Sequence, residues 1–237
     1  SFPTALTRPD TTDKNVRAPE QERSRRAGLE VEEQCSRIGF LFSGQFLQMW
    51  LMFFANITAG IAIIGFQSPL LQDLYQKRSP GLATSTLAAY GATLIAVSSL
   101  FNGLGRFFWG GLSDRIGRVR VFRILLGSQV LAFFLLMHLQ HPLLFSVVVC
   151  YILLCYGGGF GTMPSFVLDA FGPQAMARVY GTILTAWSAA GIVGPQVVAL
   201  LKDHFGPQAS YYAFGASCGL VLCGFVLSLV TRERISV

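Results

Sequence analysis

The chain has 237 residues, 52% of them hydrophobic and only 13% charged, with a mean hydropathy of +0.53. An ordinary soluble domain is not this apolar. The net charge of +6 lies mostly between apolar runs, so it reads as a membrane-topology signal and not as a nucleic-acid-binding surface.

Residues 1–37 hold seven basic and seven acidic residues, which cancel. Their Pro, Thr, Glu and Arg content predicts a solvated, largely disordered linker, with helix only from Gln21 onward. They have neither the apolar core nor the cationic start of a signal peptide. The first residue is Ser1 rather than Met, and a truncated or processed start is expected. A membrane domain then occupies 38–231, and 232–237 form a polar tail.

Within that domain six apolar segments follow, at about 40–66, 87–111, 121–137, 143–169, 179–201 and 211–230. Each is close to the ~20 residues that cross a bilayer as a helix. The expected fold is therefore an all-α membrane protein, a bundle of six transmembrane helices. Fourteen Lys and Arg residues fall on the side of 1–37 and only Lys77, Arg78 and Lys202 on the other, which places both termini in the cytoplasm.

The spans carry phased polar residues. In the first, Gln45, Gln48, Met52, Asn56, Ile63 and Gln67 recur at three- and four-residue steps. Gly91, Ser99, Asn102 and Arg106 do so in the second, and Tyr151, Cys155, Gly158, Thr162, Ser165 and Asp169 in the fourth. Thr185 and Ser188 share a face of the fifth, with Trp187 beside them. Small, weakly polar residues glue membrane helices together, but four such faces also predict a shared aqueous cavity. Arg106 stands out, because an arginine in hydrocarbon costs about 2.5–3.5 kcal/mol even on the lenient insertion scale. Eight residues on, about 12 Å of helix rise, Asp114 sits in the tight basic loop 110–118.

Other chemistry is poorly supported. The cysteines Cys35, Cys150, Cys155, Cys218 and Cys223 have no Cys-x-x-Cys spacing, and His138, His141 and His204 lie at span ends. No metal or cofactor site is expected, nor a catalytic triad or carboxylate pair. The glycine run 157–161 lacks the Lys-Ser/Thr of a phosphate loop, so it reads as a close helix approach or a hinge.

The loop from Gly110 to Arg120 (GGLSDRIGRVR) resembles the signature loop of the major facilitator superfamily. Three further stretches, FNGLGRFFWG at 101–110, CYGGGFGTMP at 155–164 and LTAWSAAGIVGP at 184–195, resemble the oxalate/formate antiporter family within it. The similarity runs from about residue 40 to residue 230. Such transporters have two six-helix halves, so the resemblance implies that this chain is the second half, spans seven to twelve, with an N-terminal six-helix half as partner. It implies a secondary active transporter, embedded in lipid, that moves a small organic anion by alternating access, and not an enzyme.

By the same resemblance Arg106 binds a carboxylate. Its planar fork suits two carboxylate oxygens, although it could instead cap carbonyls or pair with an acid such as Asp169. Asn102, Trp187, Gln45 and Tyr151 join it as candidate substrate contacts. Oxalate-handling members use a second cation on span eleven, where this chain has Trp187 and no basic residue between Arg178 and Lys202. That departure favours a monocarboxylate over oxalate, since a dianion on one arginine leaves unbalanced charge. Gly110, Asp114, Arg115, Gly117 and Arg118 would form a cytoplasmic latch. Gly191, Gly194 and Pro195 resemble a Gly-Pro kink, with close packing and a proline bend as the alternative. A non-transporting scaffold or sensor derived from such a half is the rival function.

Overall fold

The computed structural model describes residues 39–231. The expected linker at 1–37 and tail at 232–237 lie outside them. Two compact units divide the chain, 1–43 and 44–237. In the first, a single 3-10 turn, Phe40–Phe42, is closed by Ser43, whose hydroxyl donates to the Phe40 carbonyl at 2.7 Å.

The second unit is helical and, among its described residues, contains no strand. Its helices are α1 (Gly44–Arg78), α2 (Thr84–Ile116), α3 (Arg118–His138), α4 (Pro142–Ile183), α5 (Thr185–Phe205) and α6 (Ala209–Val230). Gly172, at φ 77° and ψ 169°, interrupts α4. Phe160 and Trp187 have ring centroids 6.0 Å apart, whereas 27 residues of straight helix would span roughly 40 Å. The chain therefore doubles back at Gly172, and the helix resumes at Pro173 to run through Leu184 into α5.

The helices differ from the sequence expectation at their ends. α1 continues to Arg78, well past residue 66. Gln67, just past that point, is buried and accepts a 2.8 Å hydrogen bond from Ser98 of α2. Gln72 donates to Ser68 one turn away at 3.1 Å. With its polar groups satisfied by a neighbour and by its own turn, the segment stays helical. The third segment, short in the sequence, gains both flanks and spans 21 residues. No loop separates the fourth and fifth, because one glycine makes the reversal.

α1 is the central helix, packed on α2, α4, α5 and α6. Met49, Met52, Phe53 and Ile57 are wholly buried in it. The phased stripe of α1 is correspondingly part of this core: Met52, Asn56, Ile63 and Gln67 all face inward and line no aqueous cavity. Asn56 accepts from Gln129 Nε2 of α3 at 2.7 Å. The stripe of α4 is also largely internal, with Cys155, Gly158 and Thr162 buried. Small and amide side chains at these positions hold helices together.

The closest pairing is α2 with α4. A Cβ on Gly157 would lie 1.9 Å from the Asn102 carbonyl oxygen, and one on Gly105 would lie 2.0 Å from that of Leu154. Only glycine permits this backbone contact, so the glycine run is a close helix approach. α3 pairs with α6, where Arg123 donates to the carbonyls of Ser228 (3.0 Å) and Thr231 (2.9 Å). That guanidinium satisfies carbonyls that the last turn of α6 leaves without an intrahelical partner.

Candidate functional site

The α2–α4 crossing determines what stands beside Arg106. A Cβ on Gly161 would lie 2.4 Å from the Arg106 carbonyl oxygen, so α4 passes directly under this turn of α2. The guanidinium carbon then sits 5.4 Å from the centroid of Phe160, within cation–π range. Phe160 is the centre of an aromatic floor. Phe53 of α1 meets it at 5.1 Å, Tyr156 one turn back at 5.4 Å and Trp187 of α5 at 6.0 Å, all edge to face. Tyr156 and Tyr180 are both near enough to feel the Arg106 charge. Beside this floor the indole N–H of Trp50 donates to Thr185 Oγ1 at 2.9 Å and ties α1 to α5.

Arg106 is exposed on the flank of the bundle. Among the described residues it has no ion pair and no side-chain hydrogen bond. Asp169, the acid that could have neutralised it, is engaged elsewhere. Arg118 Nε donates to Asp169 Oδ2 at 3.1 Å, and the same guanidinium pairs with Asp114 and with the hydroxyl of Ser113. Arg118 thus joins the end of α2, the start of α3 and the end of the first part of α4.

The remaining sequence candidates divide by place. Trp187, half exposed, shares the aromatic floor with Arg106. Asn102 lies one turn away at the helix crossing, with its side-chain oxygen buried and unpartnered. Gln45 is half-buried in the first turn of α1, eight residues or about 12 Å of rise from Phe53. Tyr151 is nine residues or about 13 Å from Phe160. Its hydroxyl donates to Ser128 of α3 at 2.6 Å, and its ring lines a separate cavity with Val97 and Phe101. Phe160, Tyr156 and Tyr180 were missed by the sequence reading. The signal for the first two was an aromatic pair four residues apart, bracketing the glycine run.

In the loop, Gly117 has φ 96° and ψ 151°, a conformation open essentially to glycine alone. Gly110 approaches the Gly161 carbonyl, with a virtual Cβ at 3.6 Å. Arg115 is exposed. In α5, Gly194 is buried against Ile61 and Thr58 of α1, whereas Gly191 has open space beside it and Pro195 is exposed. Among the described residues no three His, Cys, Asp or Glu side chains come together as a metal site.

Among the described residues four helical stretches are long and apolar enough to cross a membrane, the last being Pro142–Val230. Gly172 and Gly206, both with positive φ, divide that one into three. Six apolar spans with an arginine inside one of them define a polytopic α-helical membrane protein. The sequence matches the Major Facilitator Superfamily over residues 4–195 and 92–236, and the chain belongs to that superfamily, a family of transporters and not of enzymes.

Among curated relatives, it is 27% identical to an oxalate:formate antiporter of Oxalobacter formigenes over 92% of this chain and 50% of the relative. It is 32% identical to apicoplast pyruvate carrier 1 of Toxoplasma gondii, over 82% of this chain and 36% of that protein. An uncharacterized MFS-type transporter of Escherichia coli is 29% identical over 70% and 39%. The chain therefore spans half or less of the length of these relatives.

Proposed function

We propose that this chain is the six-helix C-terminal half of a secondary transporter for a small organic anion, a monocarboxylate rather than oxalate, working by alternating access. The observation that carries the reading is the unpaired Arg106 on an aromatic floor. An uncompensated guanidinium within a span is costly unless water or an anion meets it, and its fork is shaped for a carboxylate. Phe160, Trp187 and Tyr156 would hold the guanidinium in place and offer an apolar surface to the rest of the substrate. Asn102, its amide oxygen buried at the crossing, would orient the arginine or touch the substrate through its amide N–H groups. Gln45 and Tyr151 stand farther along the helices, where they would meet substrate on its way to or from Arg106.

The preference for one carboxylate follows from charge. Lys202 is at the far end of α5, over the Phe66 ring at 5.0 Å, 15 residues or about 22 Å of rise from Trp187. One cation near the floor balances one carboxylate and leaves a second exposed to a low-dielectric wall. The names of the relatives, which include an oxalate:formate antiporter and a pyruvate carrier, agree with a carboxylate cargo.

The partner half would close the site from the other side and rock against α2 and α5. The Asp114–Arg118–Asp169 cluster would act as the latch on one conformation. Both termini would lie in the cytoplasm.

The test uses the full-length protein that carries this chain, reconstituted in vesicles and assayed for uptake of radiolabelled formate, pyruvate and oxalate. Arg106→Ala should abolish uptake while insertion stays normal. Arg106→Lys should recover little, because an ammonium keeps the charge but loses the bidentate fork. Normal carboxylate uptake by Arg106→Ala would make Arg106 structural and remove the anion anchor.

A further inference from the structure

At the end of the bundle opposite the α2–α3 turn, a cavity of about 410 Å³ opens between the ends of α1, α3 and α6. Two cations stand at its wall, Lys77 and Arg78 in the last turn of α1. Among the described residues neither has a carboxylate partner. Asp73, one turn earlier, is not among the lining residues, and no acid is. The deeper wall is apolar and includes Phe145 and Phe214, both buried. A void with two unneutralised cations at its rim and aromatic rings at its base suits an amphiphilic anion.

Two further features agree with that chemistry. The first turn of α6 supplies Ser210 and Tyr211 to the wall. That turn has no side-chain cap and no acidic residue; the Ala209 N–H is taken by the Gly206 carbonyl, and the helix start still adds positive potential on the same side. An aromatic group also surrounds this end. Tyr211 packs on Tyr212 at 5.7 Å and on His138 at 6.4 Å, and Tyr212 on Phe205 at 4.0 Å. Tyrosines gather at the level of lipid headgroups, which places the cavity mouth at the membrane interface. The bland alternative is that Lys77 and Arg78 merely complement the C-terminal dipole of α1; it accounts for the charges but not for the half-apolar void beside them.

We propose that the α1/α3/α6 cavity is a binding site for one anionic phospholipid. Its phosphate lies against Lys77, Arg78 and the first turn of α6, and an acyl chain lies over Phe145 and Phe214. This site is distinct from Arg106 and from the basic α2–α3 turn, which are at the other end of the bundle. A free phosphate would use the same cations but leave the apolar wall empty, and for that reason the lipid is the favoured source.

The experiment is native mass spectrometry of the full-length protein in detergent, titrated with phosphatidylglycerol or phosphatidylcholine of matched chains. Wild type should retain the anionic lipid roughly 30-fold better, about fivefold for each cation. Lys77→Gln with Arg78→Gln should reduce that preference to near parity. Lys77→Arg with Arg78→Lys, which keeps both charges, should restore it, and so separates charge recognition from misfolding. Inorganic phosphate at millimolar concentration should not displace the lipid. Equal retention of the two lipids by wild type, or an unchanged preference in the double Gln variant, would overturn the site. Displacement by inorganic phosphate would overturn the lipid as its ligand in favour of a small free anion.

Discussion

Arg106 and Arg118 are a pair of opposites. Both stand near one end of the bundle, but Arg118 is ligated by two carboxylates and a hydroxyl, and Arg106 has only the face of Phe160. The contrast predicts different phenotypes. Phe160→Ala should weaken substrate binding about two- to fivefold, the scale of one exposed cation–π contact, with little effect on maximal rate; a KM measurement in vesicles checks it. Asp114→Asn should do the reverse, slowing turnover while equilibrium binding changes less, because a latch biases conformations without touching substrate. Comparing a binding isotherm with an uptake rate for this variant separates the two effects.

At the level of elements, the α2–α4 crossing is the contact with the least tolerance. Gly105→Ala or Gly157→Ala drives a methyl group to within about 2 Å of a carbonyl oxygen of the facing helix. The helices must separate, which should cost about 1–3 kcal/mol and displace Arg106 from Phe160. Gly103, two residues from Gly105 on the same helix, has nothing within 4 Å of a virtual Cβ. Gly103→Ala should therefore be neutral, or stabilising by up to about 1 kcal/mol through helix propensity. Thermal unfolding of the three variants in detergent tests the ranking; a Gly105→Ala variant as stable as Gly103→Ala would show that the crossing is looser than described. Gly117→Ala meets a different obstacle, the backbone conformation at φ 96°, and should lose about 1–3 kcal/mol in the same assay.

For the whole molecule, the exposed cations bear on which way it sits in the bilayer. Arg118 and Arg123 serve internal contacts, yet Arg115 and Arg120 remain exposed at the α2–α3 turn, against Lys77 and Arg78 at the other end. Among the described residues the exposed Lys and Arg are balanced between the two ends, with Arg178 and Lys202 adding one to each, so the N-in, C-in arrangement we propose rests on the Lys and Arg of 1–37 and 232–237. In a cysteine-free background of the full-length protein, Ser79→Cys should react with an impermeant maleimide from outside intact cells, and Arg120→Cys only after permeabilisation. The reversed pattern would invert the topology and with it the side on which the latch acts.

Several levels were legible in the sequence alone. The apolar runs, the tight basic loop with Asp114 and Gly117, and the glycine run of the fourth span all follow from local constraints: bilayer thickness, turn geometry and helix spacing. Family membership also followed, because its motifs are contiguous. Periodicity did not reveal which polar face was which. Asn56 and Gln67 repeat with the same step as cavity-lining residues, but their partners Gln129 and Ser98 are 73 and 31 residues away, and burial depends on where those helices land. For the same reason only the tertiary structure decided the fate of the charges. Asp169 could have neutralised either arginine, and the turn at Gly117 brings Arg118 to it, leaving Arg106 on an aromatic floor drawn from α1, α4 and α5. A helix carries its residue types in its own sequence, but the neighbours that satisfy or expose them come from the packing of the whole bundle.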